Sequence, residues 1–290
     1  MKYFCTIADK NFSSRVLALN ESLKKYNKGY TLLTLCIDEG MSFHEDNILN
    51  FDLSTLLQED ENLYIAKNNK PSEEALRVAN GDYDKAKSLQ FTWLLSPYFS
   101  DYCLNLDMVK DDLLYIDSDI YFFDNWTKIY NSITSNINIG LVEHRMPWTG
   151  NSGKYNVGII YFKKNNISKD CASFWKNCLL NTNNQYYSEY GQCGDQKYLE
   201  LFPKLFEGVY SLDNFFGHLA PWNLPYHEYT DAQILWNNQL QDIMYYHFSN
   251  FKIVDESFIP APRHGIGDVS SVPILQMMHQ KYYEVLQSYA

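Results

Sequence analysis

The sequence predicts an α/β fold: a mixed, mainly parallel sheet flanked by helices, in a single domain. Two observations carry this. The chain opens strand, helix, strand, the order that builds a parallel sheet. In mid-chain the apolar run Leu113 to Ile116 reads as a buried strand, and it stops at Asp117-Ser118-Asp119. Burying one bare carboxylate is costly and two close together repel, so a divalent cation is their natural companion. Ligand sites of open α/β sheets lie at such carboxyl ends of strands.

Each element has its own warrant. Tyr3 to Ala8 is a short apolar run, hence the first strand. Arg15 to Tyr26 carries apolar residues at helical spacing, with Ser13 or Ser14 as cap and Asn27-Lys28-Gly29 as stop. Tyr30 to Ile37 is the second strand. Asn47 to Gln58 reads as a small helix and Asn62 to Ala66 as an extended piece. Asp82 to Leu95 reads as a helix that ends before Ser96-Pro97, with a further turn over Tyr98 to Leu106. Asn138 to Arg145 and Tyr155 to Phe162 are strands, separated by the Gly-, Ser- and Asn-rich loop 147–154. Ile167 to Leu180 is an amphipathic helix. Gly191 to Leu201 is a loop entering a helix, and Ile243 to Asn250 a strand entering a turn. The breakers of 260–268 precede a closing helix, Pro273 to Tyr289. Gly265-Ile266-Gly267 is too short for a dinucleotide fingerprint and reads as a flexible loop that can close over a ligand.

Composition limits the partners. A net charge of -11 over 290 residues argues against a nucleic acid polymer. A small phosphorylated substrate is also repelled unless a bound cation reverses the local field. Aromatic residues make up 16% of the chain, enough for a core and for a groove lined with rings. No Cys-x-x-Cys pair occurs among the six cysteines, which disfavours a zinc site; Cys5, Cys36 and Cys103 read as buried thiols. The chain opens without an apolar signal region and has no run of about 20 apolar residues. The expected location is the cytoplasm, with peripheral contact at the inner membrane face left open.

Four motifs then occur in order: Asp117-Ser118-Asp119, Asn156-Val157-Gly158, Asp195-Gln196, and His247-Phe248 followed by Lys252. On these residues the chain resembles the glycosyltransferases of the nucleotide-diphospho-sugar transferase (GT-A) fold, in particular the glycogenin-like and bacterial galactosyltransferase-like family 8. The resemblance implies a hexosyltransferase that moves sugar from a nucleotide-diphosphate donor, UDP favoured, to a glycan or glycolipid acceptor in bacterial surface polysaccharide assembly. It implies residues 1–255 as the transferase domain, with 1–125 the nucleotide-binding half, 126–255 the acceptor half, and 256–290 a terminal loop and helix. It places Mn2+ or Mg2+ on Asp117, Asp119 and His247. It places the donor against Thr6, Ala8, Asp9, Asp38, Asp117, Ser118, Asn156 and Lys252, and Asp195 and Gln196 at the transferred sugar. The late motif departs from the usual H-x-x-G-x-x-K-P-W: Asn250 stands where Gly is usual, the Lys is shifted one place, and Pro-Trp is absent.

Plainer readings stand beside these. An isolated D-x-D is usually a pair of surface or capping aspartates, and a lone His is more often structural. Asp195 either caps the helix beginning near Gln196 or sits at the reacting sugar, as general base if the configuration inverts and as an orienting group if it is retained. Asn156 either ends a strand or bonds sugar hydroxyls. His144 and Arg145 are placed on the acceptor side. Trp148, Trp222 and Tyr226 have loop positions suited to stacking on sugar, or to core packing. Two other function classes remain: a non-catalytic sugar-binding protein, and a phosphatase with an aspartyl nucleophile.

Overall fold

The structure is a computed structural model that describes residues 2–147, 150–182, 184–191, 194–230, 232–261 and 269–290. Trp148, Cys193 and the Gly265-Ile266-Gly267 loop lie outside the described residues.

The opening unit is β1 (Lys2–Ala8), α1 (Ser13–Tyr26) and β2 (Tyr30–Cys36). Neither Ser13 nor Ser14 caps α1. The carboxylate of Asp9 instead accepts from the Phe12 amide, closing a 3-10 turn that feeds the helix. Next come β3 (Ile48–Asp52), α2 (Leu53–Glu59), α3 (Glu61–Asn68) and α4 (Glu73–Val78). The first half of the expected helix from Asn47 is therefore a strand, because parallel pairing of Ile48 with Leu32 and Phe51 with Leu35 outweighs local propensity. The expected extended piece from Asn62 is helical, because Asp60 accepts from the amides of Asn62 and Leu63 and caps it.

The helix α5 (Tyr83–Asn105) runs unbroken through Pro97. A proline in a helix interior removes a hydrogen bond and costs about 3 kcal/mol. Here Leu94 through Ser100 are all buried, so packing on both sides holds the helix together. The remaining elements are β4 (Leu113–Ile116), β5 (Ile120–Phe122), α6 (Thr127–Ser132), β6 (Ile139–Glu143), β7 (Tyr155–Phe162), α7 (Asn166–Leu180), α8 (Tyr187–Tyr190), α9 (Phe202–Leu205), β8 (Val209–Ser211), β9 (Gly217–Leu219), β10 (Glu228–Tyr229), β11 (Gln233–Trp236), β12 (Gln239–His247), β13 (Lys252–Val254), β14 (Ser257–Ile259) and α10 (Pro273–Ser288).

A seven-stranded sheet has the order β3-β2-β1-β4-β7-β6-β8, with only β7 antiparallel to its neighbours. Residues of α5 and α7 pack on one face of it, those of α1 and α6 on the other. The carboxyl ends of β1, β2, β4 and β6 and the start of β7 therefore share one edge. A second sheet, β10-β11-β12-β5 with β9 beside β12, packs against α10, where Phe248 stacks on Tyr282 with ring centroids 3.8 Å apart. The Asp117–Asp119 turn is the seam: it leaves β4 in the first sheet and enters β5 in the second.

Candidate active site

At the shared edge lies a cavity of about 670 Å³. The D-x-D turn forms its centre. The Asp117 amide donates to Gly158 O at 2.9 Å, tying the turn to β7. The Phe248 amide donates to Asp119 O at 2.8 Å, tying it to the end of β12. Antiparallel pairing of His247 with Ile120 then delivers the imidazole to the carboxylates. Its Nε2 lies 3.0 Å from Asp119 Oδ1 and 3.7 Å from Asp117 Oδ2. One ligand atom from each of the three residues lies within 4.8 Å of the others, close enough for one small cation to touch all three.

Gly158 explains why this approach is possible. A Cβ there would come within 2.6 Å of both His247 Nδ1 and Asn156 Oδ1. The absent side chain is what seats the imidazole. Asn156 Oδ1 accepts from the Gly158 amide at 2.8 Å, and its Nδ2 donates to Gln196 Oε1 at 3.0 Å. Two motifs 40 residues apart are thus bonded to each other.

Burial and charge set the protonation of the site. Burial alone would lower the His247 pKa, but the carboxylates of Asp119 and then Asp117 outweigh it and raise it. Burial acts against ionised Asp119, yet His247 and Arg15 hold its pKa below the usual value. Asp117 is raised, first by burial and then by the charge of Asp119, with His247 opposing. The Tyr115 hydroxyl donates to Asp117 Oδ1 at 2.8 Å and lies 3.0 Å from Ser96 Oγ. Asp195 is buried and hydrogen-bonded with Ser96; burial, then the charge of Asp117, pushes its pKa up to about 8. The 3-10 turn after Gln196 has Gln196 at its N-cap and no side-chain cap, so Asp195 is not the cap of that turn.

The chain is similar to known proteins along most of its length. Two Bacillus subtilis (strain 168) proteins, both described as uncharacterized, match it: YfnF at 25% identity over 268 residues (87% of this chain, 82% of YfnF) and YfnD at 21% over 266 residues (88% and 79%). No family model matches. Among solved structures, the galactosyltransferase LgtC in complex with donor and acceptor sugar analogues superposes with a TM-score of 0.61 at 13% identity, over 99% of this chain and 95% of LgtC. Mouse xyloside xylosyltransferase 1 superposes with a TM-score of 0.53 at 13% identity, over 85% and 97%. The chain has the GT-A glycosyltransferase fold.

Of the expected residues, Ala8, Asp9, Asp38, Asp117, Ser118, Asp119, His144, Asn156, Asp195, Gln196, Trp222 and His247 all line this one GT-A cavity. Trp222 stands edge-on to both His247 and His144, with centroids 5.2 and 5.6 Å away. His144 Nδ1 lies 2.9 Å from Gly153 O, and burial lowers its pKa to about 4, so it is neutral.

Four residues lie elsewhere. Arg145 does not face an acceptor: Nε donates to Asp213 Oδ1 at 2.6 Å, Nη1 to Gln241 Oε1 at 3.0 Å, and Nη2 to the carbonyls of Asp213 and Phe216 at 2.8 Å each. A buried guanidinium needs such partners, and Asp213, 68 residues away, was not visible as one in the sequence. Lys252 is exposed on β13, off the cavity wall, because the turn after His247 sends the chain outward into a hairpin. Thr6 is fully buried within β1, also off the wall. Tyr226 is exposed and away from the cavity. The Asn250 departure is structurally silent, since Asn250 takes φ 60, the left-handed conformation that Gly would adopt and Asn tolerates.

The sequence reading passed over Ser88, Thr92, Trp93 and Ser96 of α5, and Tyr115, all on the cavity wall. Ser88, Thr92 and Ser96 are four apart, a stripe of small polar residues along a largely apolar helix. The expected break before Ser96-Pro97 left Ser96 off that stripe.

Proposed function

We propose that the chain is a metal-dependent glycosyltransferase that moves a hexose from a nucleotide-diphosphate sugar, a UDP-sugar in the first instance, to a glycan or glycolipid acceptor. The observation that carries this reading is the convergence of Asp117, Asp119 and His247 on one wall of a cavity large enough for a nucleotide sugar. Carboxylate oxygens with one imidazole suit Mn2+ or Mg2+. Held there, the cation supplies Lewis-acid neutralisation of the departing diphosphate.

The chain's own residues do the rest. Ala8, Asp9 and Asp38 at the ends of β1 and β2 bind the base and ribose. The paired amides of Asn156 and Gln196 are already oriented by each other, so they meet sugar hydroxyls with little loss of side-chain freedom. Asp195, holding its proton near neutral pH, donates as well as accepts. This suits an orienting role at a transferred sugar whose configuration is retained. His144 and Trp222 form the acceptor side. Residues 1–125 serve as the donor half and 126–255 as the acceptor half.

The test is donor hydrolysis across UDP- and GDP-hexoses, with Mn2+ and with chelator. Metal-dependent release of one nucleotide is expected. No turnover of any donor would favour a sugar-binding protein, and release of phosphate from a simple monoester would favour a phosphatase.

A further inference from the structure

Trp93 has no role in the site as described, yet it is placed to have one. It projects from α5 onto the wall of the main cavity, and the same side chain lines a smaller adjoining cavity with Gln90, Tyr187 and Gly194. It is partly exposed. Ala75, Ala79 and Ala86 pack behind it, small residues that let α4 and α5 approach closely enough to fix the ring. Gly194 closes another side. Its φ is +60, and a Cβ there would lie 2.5 to 2.9 Å from Trp93 Cδ2, Cγ and Cε3. The backbone of Gly194 therefore lies directly against the indole, and the next residue is Asp195. A fixed aromatic ring and a buried carboxyl thus adjoin on one wall, with Ser96 between them along α5.

This pairing matches the surface of a pyranose, which is apolar on the C–H face and polar at its hydroxyl rim. We propose that Trp93 is the platform for the transferred sugar: the C–H face of the donor hexose packs on the indole while its hydroxyls meet Asp195, Gln196 and Asn156. The inference rests on the transferase reading and names the residue that selects the sugar. Trp93 is assigned to the sugar and not to the nucleotide, which the proposed function places against Ala8, Asp9 and Asp38.

Calorimetric titration with Mn2+ separates the two parts of the donor. The probes are the tightest-binding UDP- or GDP-hexose of a panel and its own nucleoside diphosphate alone. Trp93→Leu is expected to weaken binding of the nucleotide sugar by about 3- to 10-fold, which corresponds to about 0.6–1.4 kcal/mol. Affinity for the bare nucleotide should stay within about 2-fold, and Trp93→Phe, which keeps a ring, should fall between. Melting curves establish that each variant is folded. Equal losses for sugar and nucleotide, or no loss for either, would overturn the platform while leaving the transferase reading intact. Failure of the unaltered protein to bind any nucleotide would overturn both.

Discussion

Two residues decide the chemistry at the scale of single side chains. Gly158 is the first, since its missing Cβ is the space that His247 occupies. Gly158→Ala should leave the sheet formed but push the imidazole off the carboxylates. Metal affinity, followed by Mn2+ relaxation or calorimetry, is expected to fall by at least about 10-fold, the range seen when groups that orient a metal ligand are lost. Unchanged affinity would remove His247 from the ligand set. Asp195 is the second. Its folded pKa of about 8 stands above the usual carboxylate value of about 3.9, so the native state keeps a proton that the unfolded chain releases. The consequence is a penalty absent below about pH 4, growing as pH rises, and complete above about pH 8. Asp195→Asn should abolish it. Without metal, the wild-type melting temperature should drop more steeply from pH 5 to pH 8 than that of the variant. Parallel profiles would mean that Asp195 is ionised in the native state. Signals this local were readable in advance: the aspartate pair stood out at the end of an apolar run, and Asn156, Asp195-Gln196 and His247 were picked out by the resemblance to the family 8 motifs. Arg145 misled because its partner, Asp213, comes from a distant part of the chain.

Among the elements, caps and sheet neighbours won over propensity. Asp60 caps α3 through Oδ1, and its Oδ2 accepts from the Tyr98 hydroxyl at 2.9 Å, joining that helix to α5. Removing a cap costs about 0.5–2 kcal/mol. Asp60→Ala should therefore lower stability by about 1–3 kcal/mol with the second bond included, read from denaturant unfolding. A loss near zero would show that α3 docks without its cap. The same competition explains what the sequence concealed. Ile48 to Asp52 contains nothing strand-like beyond Ile48 and Phe51, and only the neighbouring β2 makes it a strand. The helical pattern on either side of Pro97 was visible, but the burial that carries α5 across it was not. The short strands from β8 to β11 gave no alternating pattern, because pairing with β6, with β12 and, for β10, with β11 defines them rather than their own composition.

Across the whole molecule, two sheets meet at one turn. β4 belongs to the seven-stranded sheet and β5 to the smaller one, so Asp117, Ser118 and Asp119 sit where neither sheet can cover them. Helices cover both faces of the larger sheet, and the edge where its strand ends meet gathers residues from Ile7 to Ser249 around one cavity. A net charge of -11 opposes the entry of a diphosphate unless a local positive charge offsets it, which a cation on the proposed site would supply. No helix among the described residues is long and apolar enough to cross a membrane. The central claim is that Asp117, Asp119 and His247 form one metal-dependent nucleotide site. The most direct measurement is calorimetric titration of UDP into the wild-type protein and Asp119→Ala, each with Mn2+ and with chelator. Binding is expected to the wild type only when Mn2+ is present, and none to the folded variant. Equal UDP affinity with and without metal, or in wild type and variant alike, would contradict it.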